Sequence, residues 1–290
     1  MSKRLFITGG TGYLGGALLR LAAGRGYTLG ASYLSQQPPG VPGIAWARLD
    51  IRDPQAVHEV LQSFRPDVVI HTAFVQYEPD LMAITAEGSG HVAQAAAELG
   101  ARLIHMSSDV IFDGERAEPY TEAEPPAPIS AYGEAKAAAE RLVAAAYPGA
   151  AIIRTSLIYG FEPLDRQTRF ALEIADGQRG DRLFSDEYRC PIFVDDLAAA
   201  LLELAEIDYA GVLHVAGAER VSRYEMGTLL ARALGYDPAR IQAGRSADLP
   251  VRRPRNCALN IGRASALLHT RLRGLRELLK DRAQIEGNLA

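Results

Sequence analysis

One stretch near the amino terminus restricts the fold more than any other: Thr8-Gly9-Gly10-Thr11-Gly12-Tyr13-Leu14-Gly15, set between a short apolar run and an amphipathic one. Leu5-Phe6-Ile7 has strand character, and residues 13–22 space their apolar side chains as a helix packed on a sheet does. Strand, glycine turn and helix in that order open a parallel α/β unit. In such a unit Gly9 lets the backbone turn tightly, Gly12 leaves room for a pyrophosphate against the main chain, and Gly15 lets the helix lie close to the strand. The unpaired amides of the first helical turn then face the phosphates. The spacing differs by one residue from the G-x-G-x-x-G fingerprint of dinucleotide sites. An ordinary tight turn is the competing reading, and the flanking strand and helix argue against it.

The alternation continues. Residues 28–33, 44–49, 67–72, 102–107 and 151–155 read as strands, and 54–64, 81–99 and 130–146 as helices, with Pro54 at a helix start and Gly100 at a helix stop. This predicts an α/β fold, a doubly wound parallel sheet of Rossmann type over residues 1–160 to which 194–216 return. Residues 161–193 and 217–290 are expected to form a smaller, carboxy-terminal substrate-binding lobe. At 48% hydrophobic and 23% charged, the 290 residues suit a globular chain with a sizeable core. The net charge of -4 argues against a general nucleic-acid binder. No run reaches the roughly 18 apolar residues of a spanning helix. Met1-Ser2-Lys3-Arg4 leads straight into the first strand, so a cytoplasmic location without a membrane partner is expected. Cys190 and Cys257 lie far apart without metal-ligand neighbours, so neither a disulfide scaffold nor a metal site is expected. A homodimer is allowed for.

The chemistry concentrates on Ser108, Tyr132 and Lys136. Tyr132 and Lys136 stand four apart on one predicted helix and share a face. A phenol ordinarily titrates near 10, and a nearby ammonium favours the phenolate, so Lys136 is expected to tune Tyr132 as a general acid. Reducing a ketone requires a hydride to carbon and a proton to oxygen. Tyr132 would supply the proton while Ser108, at the carboxyl end of a predicted strand, holds the carbonyl. Without the glycine turn, an i,i+4 surface pair and a capping serine would explain the same residues. After the second strand, where NAD enzymes usually present an acid, the chain has Ser32-Tyr33-Leu34-Ser35, and no Arg stands there. NADP(H) is therefore favoured, with NAD(H) as the alternative. Asp50 reads equally well as an adenine contact or as a turn cap before Asp53-Pro54.

These motifs resemble the extended short-chain dehydrogenase/reductases, and most closely their dTDP-4-dehydrorhamnose reductase branch. LDIRD at 49–53, PDVVIHTA at 66–73, MSSDVIFDG at 106–114, IIRTSLIYG at 152–160, CPIFVDDLA at 190–198 and RRPRNCALN at 252–260 carry the likeness along nearly the whole chain. The resemblance implies that Ser108, Tyr132 and Lys136 are the catalytic set. It implies that Gly9, Thr11, Gly12, Tyr13, Leu14 and Gly15, with Ser32, Asp50, Ile51, His71, Thr72, Ala73 and Phe74, surround the cofactor along with Tyr132 and Lys136. Asp109 would orient substrate. The absence of a Glu after it disfavours the related dehydratases.

Arg189, Arg252, Arg253 and Arg255 are expected to meet the pyrophosphate of a nucleotide sugar, since guanidinium forks match phosphate oxygens. Asp195 and Asp196 are expected to cap a helix. Two positions depart from the family pattern: Thr85 stands where the family carries the Asn of a water-mediated proton route, and His71-Thr72-Ala73 replaces Asn-Ala-Ala. The expected activity is reduction of a nucleotide-linked 4-keto-6-deoxysugar. The alternatives are an NADP-binding regulatory subunit, a reductase of another carbonyl compound, or an epimerase.

Overall fold

The computed structural model describes residues 2–77 and 79–289. Its main sheet starts with Arg4–Thr8 (β1), Thr28–Tyr33 (β2), Ile44–Arg48 (β3), Val68–His71 (β4), Arg102–Ser108 (β5) and Ala151–Thr155 (β6). Four two-residue strands follow, Ile158–Tyr159 (β7), Leu183–Phe184 (β8), Tyr188–Arg189 (β9) and Ile192–Phe193 (β10), before Gly211–His214 (β11) rejoins the sheet. The order is β11-β6-β5-β4-β1-β2-β3, with every neighbouring pair parallel. This is the doubly wound sheet expected from the sequence. Its order reverses between β1 and β4, so the crevice that binds ligands in such sheets opens at their carboxyl ends.

Alternate residues of each strand feed opposite faces. Leu5 and Ile7 join Ile70 and Ile104 beneath Tyr13–Ala22 (α1), whereas Phe6 joins Val69, Leu103 and Ile152 on the other side. The second face is covered by Pro54–Phe64 (α2), Gly88–Glu98 (α3) and Ala131–Ala146 (α4). Each such side chain fully removed from water contributes about 1.5–3 kcal/mol, which makes the sheet a rigid base for the loops at its edge.

One helix is expected over 81–99, but Met82–Glu87 forms a wider π turn before α3. Thr85 lies in that turn, fully buried. Its hydroxyl donates to the Val75 carbonyl at 2.7 Å and accepts the Val75 amide at 3.1 Å, tying the turn to the loop after β4.

After β6 the chain leaves the sheet, builds Arg166–Ala175 (α5), and returns through Val194–Leu204 (α6). Asp195 and Asp196 do not cap α6 as expected, because its N-cap residue is Phe193. They anchor the helix by ion pairs instead, Asp195 with Arg20 of α1 at 2.5 Å and Asp196 with Arg273 at 2.6 Å. Beyond β11, Val221–Ser222 (β12) pairs with β9 and leads into Arg223–Ala233 (α7). α5 and α7 pack together around Leu172, Leu183, Ala231 and Ile241. Asp165 caps α5 by accepting the amides of Gln167 and Thr168, and Ser222 with Glu225 forms a capping box on α7. These two caps fix the first turns of the helices, where Arg166, Gln167 and Arg223 stand.

Candidate active site

Three adjoining cavities run along the carboxyl edge of the sheet. The first, of about 260 Å³, is bounded by Gly9, Thr11 and Gly12 of the glycine turn, by Ser32 near the end of β2, by Asp50 and Ile51, and by Thr72, Ala73 and Phe74 after β4. Gly9 adopts a φ of 68°, which side chains other than glycine rarely take. A Cβ on Gly15 would lie 2.2 Å from the Gly9 carbonyl oxygen, so α1 approaches the turn as closely as a helix can. Gly12, the N-cap of α1, offers no side chain to the first helical amides, and the first turn carries no acid. A Cβ on Gly12 would meet only the Gly9 carbonyl. Open space beside unpaired amides at a helix N-terminus fits a pyrophosphate.

His71 was expected at this cleft, but it is buried beneath it and lines neither this cavity nor the next. Thr8 Oγ1 accepts the amides of Thr72 and Ala73, leaving its proton for His71 Nδ1 at 2.6 Å. His71 is then the Nε2-protonated tautomer, donating to Ser89 Oγ at 3.0 Å, which in turn donates to the Thr85 carbonyl. Burial and the charge of Lys136 pull His71 down to about 3, keeping it neutral. Through Thr8 it is tied to the Thr72-Ala73 loop that borders the cleft. Asp50 borders the cleft with its carboxylate turned to Arg52, 2.6 Å from the guanidinium and 3.0 Å from the Arg52 amide, the turn arrangement foreseen as its alternative.

The second cavity, of about 370 Å³, is shared by Tyr13, Leu14 and Gly15 of α1 with Ser108, Tyr132 and Lys136. Ser108 ends β5 and accepts the Val110 amide at 3.4 Å. Ser130 caps α4 and so sets the helix that carries Tyr132 and Lys136. Lys136 is buried, its Nζ donating to the Met106 carbonyl at 2.9 Å and lying 4.9 Å from the centre of the Phe74 ring. Burial brings its pKa down to about 8, opposed in part by Glu140. The lowering of the Tyr132 pKa expected from Lys136 is outweighed: burial and the Asp109 charge push the phenol up. The phenol is thereby held protonated, the form a proton donor needs. Asp109, expected to orient substrate, is buried and already engaged, accepting Ser156 Oγ at 2.6 Å with Arg189 Nε 3.7 Å away. It braces the cavity wall from behind.

The third cavity, of about 810 Å³, continues from Tyr132 between α5 and α7 and is rich in arginine. Arg189 reaches its wall but is buried, donating to the carbonyls of Tyr188, Pro254 and Arg255. Arg253 pairs with Glu187, and Arg252 with Glu115 at 3.1 Å. Arg255 also pairs with Glu115, at 2.7 Å, and does not line the cavity. Three of the four arginines singled out in the sequence thus stand on this wall with carboxylates already beside them, and the fourth stands outside.

A family model described as the RmlD substrate binding domain matches residues 3–286. The chain belongs to that family. It is 35% identical over 267 residues to dTDP-4-dehydrorhamnose reductase of Mycobacterium tuberculosis, covering 88% of this chain and 83% of that one. It is also 30% identical over 285 residues to methionine adenosyltransferase 2 subunit beta of Mus musculus, covering 92% of this chain and 83% of that one. Among solved structures, dTDP-4-dehydrorhamnose reductase from Bacillus anthracis in complex with NADP superposes with a TM-score of 0.83, at 25% identity and 99% coverage of both chains. For this member of the RmlD substrate binding domain family, the sequence alone did not single out Arg48, Arg166, Gln167, Arg169 or Arg223. Arg48 ends β3 and donates to the Leu34 carbonyl at 3.3 Å, beside the loop that closes the first cavity. The other four stand on the third cavity. No local motif marks them; only the packing of α5 on α7 brings them together.

Proposed function

We propose that the chain reduces the C4 ketone of a nucleotide-linked 4-keto-6-deoxysugar, with dTDP-4-dehydrorhamnose as substrate and NADPH, or less favourably NADH, as reductant. The observation that carries the reading is the single cavity shared by Ser108, Tyr132, Lys136 and the glycine turn, open on its far side to an arginine-rich chamber. Gly12 and the first amides of α1 would hold the pyrophosphate of the cofactor, with Ser32 and Thr72 to Phe74 along its length. When bound, the reduced nicotinamide supplies a hydride to the carbonyl carbon. Ser108 donates a hydrogen bond to the carbonyl oxygen, and Tyr132 gives that oxygen its proton. The Lys136 ammonium favours the phenolate left behind. Residues 161–193 and 217–290 serve as the substrate-binding part, and two buried unpaired thiols suit a reducing, cytoplasmic setting.

The likeness to an adenosyltransferase subunit favours a second reading, a nucleotide-binding regulatory subunit, and Thr85 supports it because its hydroxyl is spent on Val75. Loss of NADPH absorbance on adding dTDP-4-dehydrorhamnose separates the two. Turnover that falls by about 10²–10⁴-fold in Tyr132→Phe, with NADP binding intact, supports the reductase. Tight NADP binding without turnover by the unaltered protein supports the subunit.

A further inference from the structure

Thr155 ends β6 as the register partner of Ser108, which ends β5, so the two side chains leave the same face of the sheet from backbones about 5 Å apart. Both residues line the second cavity. The other buried polar side chains on its wall are engaged within the chain. Ser107 donates to Glu140, Ser156 to Asp109 and Lys136 to the Met106 carbonyl, while Asp165 accepts the amides of Gly160 and Gln167. Thr155 differs from them: it is only 6% exposed, and its hydroxyl has no hydrogen-bond partner among the described residues. An unpaired buried hydroxyl destabilises the free chain, and valine would suit the same strand position at least as well. The oxygen itself is shielded within the wall. Rotation about χ1 between staggered positions exchanges it with the methyl on the same carbon, which turns it to the cavity without moving the strand.

The neighbours of Thr155 say what it meets there. The glycine turn, Ser108, Tyr132 and Lys136 share the cavity, so the part of a dinucleotide that enters it is the ring that exchanges hydride. That ring carries one hydrogen-bonding group, a neutral carboxamide on the carbon next to the hydride-bearing one. We propose that the Thr155 hydroxyl anchors this carboxamide and so fixes the orientation of the nicotinamide ring. The inference rests on the cofactor reading, which the reductase and the regulatory subunit share, and deepens it by naming the group that sets the ring. A hydroxyl both donates and accepts, so it pairs with either end of the amide. A ring turned over about its bond to ribose loses this contact. With the carboxamide held on β6 and the ketone oxygen held by Ser108 on the adjoining strand, the hydride-bearing carbon and the ketone are kept side by side.

The test is calorimetric titration of NADPH, and separately of 2′-phospho-ADP-ribose, which lacks the nicotinamide ring, into the full-length protein, unaltered and as Thr155→Val and Thr155→Ser. Thr155→Val should bind NADPH about fivefold more weakly, the worth of one neutral hydrogen bond. It should bind the ring-less fragment within about twofold of the unaltered protein, and Thr155→Ser, which keeps the hydroxyl, should stay within about twofold for both ligands. Without ligand, Thr155→Val should melt no lower than the unaltered protein, because it removes an unpartnered polar atom. Equal NADPH affinity in Thr155→Val overturns the anchor. So does an equal loss on the fragment, which would mark a general distortion of the cleft, or a loss in Thr155→Ser as large as in Thr155→Val, which would assign the effect to the methyl. Failure of the cofactor reading looks different, as an unaltered protein that binds neither NADPH nor the fragment.

Discussion

Replacing Lys136 by methionine should destroy turnover and yet make the free protein more stable. The ammonium is buried with a carbonyl and an aromatic ring for company, and its pKa falls from 10.5 to about 8. At about 1.4 kcal/mol per pKa unit, keeping it charged at pH 7 costs the fold about 3 kcal/mol. Methionine fills a similar volume without the charge. The lost hydrogen bond to Met106 takes back about 1 kcal/mol, leaving a net gain of about 2 kcal/mol. For a chain of 290 residues, whose unfolding entropy is about 0.6 kcal/mol/K, that raises the melting temperature by about 3 °C. The gain has a pH signature. Below pH 8 the lysine is protonated in both states, so the penalty is fully present in the unaltered protein. Between pH 8 and 10.5 the unfolded chain retains a proton that the folded chain has released, so the unaltered protein gains stability as pH rises and the advantage of methionine fades. Thermal unfolding followed by circular dichroism at pH 7 and pH 10 reads both effects. A Lys136→Met protein that melts below the unaltered one at pH 7, or whose advantage persists unchanged at pH 10, would refute the account of Lys136 as an uncompensated buried cation.

Arg48 lies beside the loop that would meet a ribose 2′-phosphate. Arg48→Gln should lower the ratio of kcat/KM for NADPH over NADH by about tenfold, the worth of one charge-assisted hydrogen bond, and an unchanged ratio removes Arg48 from cofactor selection. Arg154 of β6 forms a buried pair with Glu140 of α4 at 2.8 Å. Arg154→Met should cost about 3–5 kcal/mol in urea unfolding by stranding the carboxylate, and the double variant with Glu140→Leu should regain most of it; a loss under about 1 kcal/mol would show the pair to be expendable.

How much of this was legible beforehand depended on whether the determinant was local. β2, β6 and α2 begin and end where the residue pattern put them, because apolar runs bounded by proline, glycine and charged residues carry their limits in the neighbouring sequence. The glycine turn was equally plain, since the left-handed backbone at Gly9 and the close approach at Gly15 are properties of a few consecutive residues. The π turn at Met82–Glu87 was not, because it answers to a hydrogen bond between Thr85 and the distant loop at Val75. The arginines were the least legible. Arg189, Arg253 and Arg255 look identical to Arg223 in a list of residues, and their availability is decided by Asp109, Glu187 and Glu115, which only the folded chain brings near. His71 was misplaced for the same reason: a strand end near the cleft does not reveal that the ring points down to Thr8 and Ser89.

The distribution of carboxylates explains why two cations are left without an ion pair among the described residues. Glu140 follows Lys136 by four residues on α4, the spacing at which opposite charges on a helix pair. It does not pair with Lys136, because Arg154 takes it with both ends of its fork and Ser107 adds a hydrogen bond at 2.5 Å. Lys136 is thus kept unpaired beside Tyr132 by an arginine on a neighbouring strand. In the third cavity the same thing happens: Asp109, Glu187 and Glu115 are taken by Arg189, Arg253, Arg252 and Arg255, and Arg223 is left without one. A chain shaped for stability alone gains by pairing both cations or replacing them. This one commits its carboxylates to other arginines and leaves a buried lysine beside Tyr132 and a half-buried Arg223 on the wall of the third cavity, neither with an ion-pair partner among the described residues.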